Sequence, residues 1–187
     1  MKKYFLLLSF AVGLVACNET QTPNEESQSI IGYDISEEGE QRELIAGPVA
    51  TINVWEDYIE AHNKKDLEAI ASLNAPDIKV WGPRGGLIEG SAAHKAFLAE
   101  WFEANNPIWK SNYFIANEVI VKDGENRQWV TSGHDVTLTV DSNEVTVSQV
   151  HDALIVDGKV KMFYVYERSS VPAATEIIFS QIRAHCT

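Results

Sequence analysis

The chain has little of what would staple a fold covalently or attach it to a polyanion. Only two cysteines occur in 187 residues, Cys17 and Cys186, so a network of disulfides is excluded. Lys and Arg number 15 against 27 Asp and Glu, giving a formal net charge of −12. Neutralising phosphates needs clustered cations, and their scarcity argues against nucleic acid as a partner. No internal repeat is visible, and the apolar run from Tyr4 to Val15 is short for a helix that spans a bilayer. Apolar side chains are abundant: 45% of residues are hydrophobic and 10% aromatic, as in one globular domain with tails.

That apolar run follows Lys2 and Lys3 and leads into Leu14-Val15-Ala16-Cys17. The arrangement predicts a cleaved export signal over 1–16, and Leu-Val-Ala-Cys resembles the bacterial lipobox, in which the cysteine becomes lipid-modified. Cys17 is then the expected anchor to a membrane of the bacterial cell envelope, on its periplasmic or surface side. Losing both lysines takes the charge to −14, and Cys186 is left as the single thiol, in a C-terminal tail over 171–187. Between Asn18 and Ile45 there are eight acidic residues and one arginine, a net −7. A segment of that composition buries too little apolar surface to fold alone, and 17–45 is read as lipidated cysteine and flexible acidic tether.

A domain is expected over 46–170. Ile52, Trp55, Tyr58, Ile59 and His62 recur at helical spacing in a helix from about Pro48 to Asn63. Asp66 is placed to cap a short second helix that turns Leu67, Ile70 and Leu73 inward. A short strand at Ile78-Lys79-Val80-Trp81 and a Gly-rich loop at 82–86 precede a third helix. Ser91 is its expected cap, with His94, Phe97, Leu98, Trp101 and Phe102 on its inner side, and His94 is assigned to packing or surface. Strand alternation returns from Lys110 to Val121, and a turn at Asp123-Gly124 would bring Tyr113 opposite His134.

Residues 128–168 read as three antiparallel strands. With Ser142-Asn143 and Asp157-Gly158 as two-residue turns, His134 faces His151 and His151 faces Tyr164, one row on one face. Gln149, Met162 and Tyr166 share that face. The other bears Asp135 and Asp152, with Val150, Leu154, Phe163 and Val165 as apolar exceptions, which suggests a sheet-to-sheet homodimer.

Two stretches carry a family resemblance: Trp55-Glu56-Asp57-Tyr58-Ile59-Glu60-Ala61-His62-Asn63-Lys64-Lys65-Asp66-Leu67, and Asp157-Gly158-Lys159-Val160 leading to Tyr164 and Tyr166. With the order of elements they resemble the nuclear transport factor 2-like superfamily, closest to its SnoaL-like polyketide cyclase and ketosteroid isomerase branches. The resemblance covers about 46–168. It implies an α+β fold, a strongly curved mixed or antiparallel sheet wrapped round three N-terminal helices, and a conical pocket. It also implies an oxyanion donor at Tyr58. The isomerase base falls near Trp81 or Gly82, neither of which can remove a proton, and the second oxyanion donor falls at Val150 or His151. Scytalone dehydratase, which pairs two strand histidines with tyrosines, is similar in residue type, with Tyr58, Tyr113 or Tyr164 as the phenols.

Imidazole suits proton transfer near neutral pH, and two adjacent rings cannot both charge easily, so His134, His151, Tyr58 and Tyr164 form the candidate acid–base row. Trp55, His62, Trp81, Trp101, Tyr113, Gln149, Met162 and Tyr166 are the candidate ligand-binding residues. A metal needs three or four converging ligands, and alternation sends Asp135 and Asp152 to the opposite face, so no metal site is expected. Two functions remain open. One is binding of a small apolar molecule or a partner without catalysis, and the other is a lyase or isomerase of dehydratase or cyclase type that needs no cofactor.

Overall fold

The computed structural model describes residues 29–122 and 124–168; the stretch read as an export signal, Cys17, Asp123 of the expected turn, and 171–187 with Cys186 lie outside the described residues. In chain order the elements are β1 (Ile30–Ile35), β2 (Gln41–Ala46), α1 (Val49–Asn63), α2 (Leu67–Leu73), β3 (Asn74–Trp81), β4 (Leu87–Glu89), α3 (Ser91–Asn105), β5 (Ile108–Val119), β6 (Arg127–Val140), β7 (Asn143–Val156) and β8 (Lys159–Arg168). The strands form one sheet in the order β1-β2-β5-β6-β7-β8-β3-β4. Only β3 beside β8 is parallel, so the sheet is mixed and the class is α+β, as the sequence predicts.

Pro48 precedes α1 with φ −62°, already set for a helical start. The helix buries Trp55, Tyr58, Ile59 and His62 along one stripe and touches β5 through β8, so the sheet curls round it. Lys65 ends the turn at φ 56°, and the Asp66 side chain accepts from Ala69 N at 2.9 Å to cap α2. Ile70, Ile78, Val130, Val136 and Val160 are fully buried in the core between helices and sheet. Each contributes about 1.5–3 kcal/mol by leaving water.

Several boundaries differ from expectation for identifiable reasons. The sheet begins inside the stretch assigned to the tether: β2 pairs Leu44 with Val119 and Ile45 with Glu118, and β1 lies outside it. Overall acidity obscured a short alternation there, in which Ile45 is buried and Asp34 forms an ion pair with Arg42 across the hairpin. The third helix is capped by Gly90 at φ 87°, not by Ser91, whose hydroxyl instead accepts from Asn74 Nδ2 at 3.2 Å.

The meander keeps its faces in the first hairpin and loses them in the second. Its first turn is Asp141-Ser142, at φ 49° and 66°, one residue before the expected pair, so Val140 faces Asn143. Register therefore shifts by two residues, which preserves side-chain direction but sets His134 opposite Gln149 and His151 opposite Ser132. The second turn is Asp157-Gly158 as predicted, but the pairing slips between Ile155↔Val160 and Leu154↔Met162, with Lys161 as the extra residue. Beyond that bulge every side chain of β8 is reversed. Tyr164 comes opposite Asp152 and Val165 opposite His151, so Phe163 and Val165 face the helices while Tyr164 and Tyr166 face away. A further bulge between Ser111 and Tyr113 sets Ser111, not Tyr113, opposite His134.

Candidate functional site

Between the inner face of the sheet and the helices lies a cavity of about 690 Å³. From α1 it is lined by Trp55, Tyr58, Ile59 and His62, and from α3 by His94, Phe97, Leu98, Trp101 and Asn105. The sheet contributes Trp109, Leu138, Val140, Gln149, His151, Phe163, Val165 and Glu167, and the 82–88 segment supplies Arg84 and apolar neighbours. The walls are mostly aromatic and aliphatic, with a few polar groups set among them, the usual composition of a small-molecule site.

The expected acid–base row is not assembled. His134 and His151 are neighbours, ring centroids 4.7 Å apart, as diagonal positions on adjacent strands allow. His151 lines the cavity, whereas His134 lies behind it, with Nδ1 3.1 Å from Ser111 Oγ and Nε2 2.8 Å from Ser132 Oγ. Trp55 Nε1 donates to that same Ser132 hydroxyl at 2.8 Å. Tyr164 is on the opposite face of the sheet, stacked on Trp81 at 4.7 Å, and cannot meet Tyr58. Of the candidate binding residues, Trp55, His62, Trp101 and Gln149 line the cavity. Trp81, Tyr113, Met162 and Tyr166 do not, because the two bulges and the outward phase of Trp81 turn them elsewhere.

At the inner end of α1 a cluster forms that sequence reasoning had not joined. Tyr58 donates to Asn74 Oδ1 at 2.7 Å, and His94 Nδ1 lies 3.3 Å from both the Tyr58 hydroxyl and Asn74 Nδ2. His62 Nδ1 donates to the Tyr58 carbonyl at 2.7 Å, one helical turn back. A signal for His94 was present: it shares the inner stripe of α3 with Leu98 and Phe102. Asn74 gave none, since it sits at a helix-to-strand junction.

Burial holds these rings neutral. Desolvation lowers His62 to about 3, with a smaller push from the nearby His94, and lowers His94 and His134 to about 4. His151 is driven well below the ordinary histidine value by the same cause and by the neighbouring imidazoles, and the Tyr58 phenol is raised well above its own. Beside His151, Gln149 Oε1 is 3.0 Å from Nε2, while Gln149 Nε2 donates to Glu167 Oε2 at 2.9 Å. Among the described residues no three His, Cys, Asp or Glu side chains gather as a metal-ligand set.

The family model for the SnoaL-like domain matches residues 55–161, more than half of the chain. The chain belongs to the SnoaL-like domain family. Solved structures carry the same fold at low identity. An LEH-like epoxide hydrolase of M. tuberculosis aligns with TM-score 0.54 and 14% identity over 64% of this chain and 84% of its own. A ketosteroid isomerase candidate from Kribbella flavida aligns with TM-score 0.53 and 19% identity, over 71% and 89%. TerC, crystallised with polyporic acid, aligns with TM-score 0.52 and 21% identity, over 69% and 98%. No curated protein matches the chain. These likenesses place the SnoaL-like domain in its fold and leave its chemistry to the site, since this fold hosts many functions.

Proposed function

We propose that this SnoaL-like domain binds a small, largely apolar molecule in its cone without transforming it, held to a membrane of the cell envelope by a lipid on Cys17. The observation that carries the reading is the 690 Å³ aromatic-walled cavity together with the commitment of two of the expected acid–base groups to partners within the protein. Tyr58 donates to Asn74, and both nitrogens of His134 have hydroxyl partners. The Tyr58 proton is thus already engaged within the protein, and His134 does not line the cavity. The fold-level likeness to TerC, crystallised with polyporic acid, is in keeping with such a cavity. Solvent extraction of protein purified from its native membranes, with mass spectrometry and calorimetric rebinding, tests it. A stoichiometric apolar compound that rebinds unchanged supports the reading; an empty protein, or a compound converted on rebinding, refutes it.

One observation favours a second reading, a lyase or isomerase that needs no cofactor. His151 lines the cavity with its Nε2 held by Gln149, the posture of an oriented base. Conversion of the extracted compound by wild type and not by His151→Ala would establish it.

Two further features belong to the same proposal. Cys17→Ser is expected to release the protein from membranes, and continued association would count against the anchor. The outer sheet face is aromatic, with Trp81 on Tyr164 and Trp129 6.4 Å from Tyr164, and a second copy is its proposed partner. The Phe163 and Val165 contribution expected there is replaced by Tyr164 and Tyr166. Sedimentation should show a dimer that Tyr164→Glu dissociates; a monomeric wild type would refute this.

A further inference from the structure

The sheet has two edges, and they are built differently. β4 is three residues long, and its Glu89 forms an ion pair with Lys79 on the neighbouring strand. β1 is six residues long, and its Ile30, Ile31, Tyr33 and Ile35 are each 48% to 60% exposed. Among the described residues no strand lies beyond it. Sheet proteins blunt such edges with lysine, proline or a bulge, because a row of free N–H and C=O groups invites another strand. β1 has neither lysine nor proline, and its bulge, at Ile31, lies near the start and leaves the edge regular from Gly32 to Ile35. The β1–β2 hairpin also precedes residues 55–161, which the SnoaL-like family model matches, so the open edge belongs to this chain and not to the family pattern.

The order of residues in β1 shows what fits it. Backbone groups that point outward from an edge alternate along it, so two copies of β1 pair antiparallel only in registers that set odd residues against odd and even against even. Centred on Asp34, the pairing puts two carboxylates directly opposite each other, which is unfavourable. Centred on Gly32, it sets Asp34 against Ile30 and leaves Ile35 beyond the partner strand. Centred on Tyr33, it sets Tyr33 against Tyr33, Ile31 against Ile35 at both ends, and Gly32 against Asp34. Every apolar residue of Ile31–Ile35 then meets an apolar one, and no like charges face each other. The acidic hairpin tips, with Glu37, Glu38 and Glu40, fall at opposite ends of the paired strands. The two Glu37 residues stand eight rungs apart, roughly 26 Å, well beyond the about 8 Å over which exposed charges act at physiological salt. The same glutamates, with Glu43 beside Tyr33, disfavour an anionic lipid surface as the occupant.

We propose that β1 is a docking edge for a second copy of this chain, paired antiparallel through Ile31–Ile35 with Tyr33 opposite Tyr33, so that the two sheets run on as one. The contact is separate from the outer face that carries Tyr164, and it is weaker. Five residues a side fall short of the roughly 1,000 Å² that lasting interfaces bury. The pairing therefore forms between crowded copies, such as those anchored side by side in one membrane, and not at the dilution of a sedimentation run.

Disulfide trapping collects such short-lived pairs and reads their register. The parent is the full chain carrying Cys17→Ser, Cys186→Ser and Tyr164→Glu, which removes both native thiols and the outer-face contact. Oxidised at high protein concentration, Tyr33→Cys in this parent should form a covalent dimer, and so should Ile31→Cys mixed with Ile35→Cys. Ile35→Cys alone should give about tenfold less, because its two copies stand four rungs apart, roughly 13 Å, and a disulfide needs Cα atoms within about 7 Å. Adding Ile35→Lys to Tyr33→Cys should also lower the yield about tenfold, since an edge lysine blocks strand addition. No dimer with Tyr33→Cys would overturn the proposal, and so would equal yields in all the cysteine variants, the mark of chance collision. Suppression of the Tyr33→Cys dimer by a peptide of residues 171–187, or by phosphatidylcholine vesicles, would give the edge to another occupant and overturn it too. Should a cysteine variant fail to fold, amide exchange in the parent decides. Protection of Ile31–Ile35 should rise with protein concentration, and exchange independent of concentration would refute the pairing.

Discussion

Lowering the pH from about 7.5 to about 5.5 should remove roughly 5 kcal/mol of folding stability, because the unfolded chain takes up protons that the folded one refuses. His62 is held near 3 and His94 and His134 near 4, all by burial, and His151 lies well below its ordinary value for the same reason. Folded values below the unfolded value of about 6.5 mean that stability is full above that pH and falls as the pH drops toward about 4. At about pH 5.5 each histidine protonates in the unfolded chain with a gain of about 1.4 kcal/mol, and four contribute about 5. That is a large share of the roughly 5–15 kcal/mol that holds a domain together. Urea titrations followed by tryptophan fluorescence at several pH values measure it. His62→Phe, which keeps an apolar ring against Phe102 and Trp109, should lessen the drop by about 1.4 kcal/mol. Stability that is flat or rises on acidification over this range would refute the claim that the rings are buried and neutral.

Three further outcomes follow from packing. Phe163→Ala, which strips a ring lying 5.3 Å from Trp55 and 5.9 Å from His94, should lower stability by about 3 kcal/mol in chemical denaturation. Tyr164→Ala, on the outer face, should leave rebinding of the extracted compound unchanged by calorimetry and cost only about 0.5–1.5 kcal/mol for the lost stack on Trp81. Gly47→Ala should destabilise more than Gly133→Ala. A Cβ at Gly47 meets the Asn117 backbone at 2.8 Å, whereas one at Gly133 meets the half-exposed Tyr113 ring, which can swing aside; thermal melts of the two variants compare them.

The helices and the inner stripe were legible because burial imposes a period on α1 and α3 that Trp55, Tyr58, Ile59, His94 and Leu98 display directly. The site was legible only as far as the strand parity held. Both Asp-Ser and Ser-Asn can occupy a turn with two positive φ angles, and the two-residue error left His134 and His151 on the inner face. A bulge has no comparable signature. With Lys161 looped out, Phe163 and Val165 go inward, and without it Tyr164 and Tyr166 would; all four are apolar enough for either side. Lys161 itself bonds Asp77 at the edge where β3 joins β8 in parallel, a long-range contact that no local pattern announces. The Tyr58, Asn74 and His94 cluster likewise joins α1, β3 and α3, and only the assembled fold brings it together.

The central claim is that the cone is a ligand site, and filling it tests that most directly. Calorimetric titration of the extracted apolar compound into wild type and into Val165→Trp, whose indole would occupy the cavity, should give one-to-one binding with a negative heat capacity change in the first and none in the second, both folded by circular dichroism. Equal binding to the two proteins would place the ligand outside the cone and contradict the account.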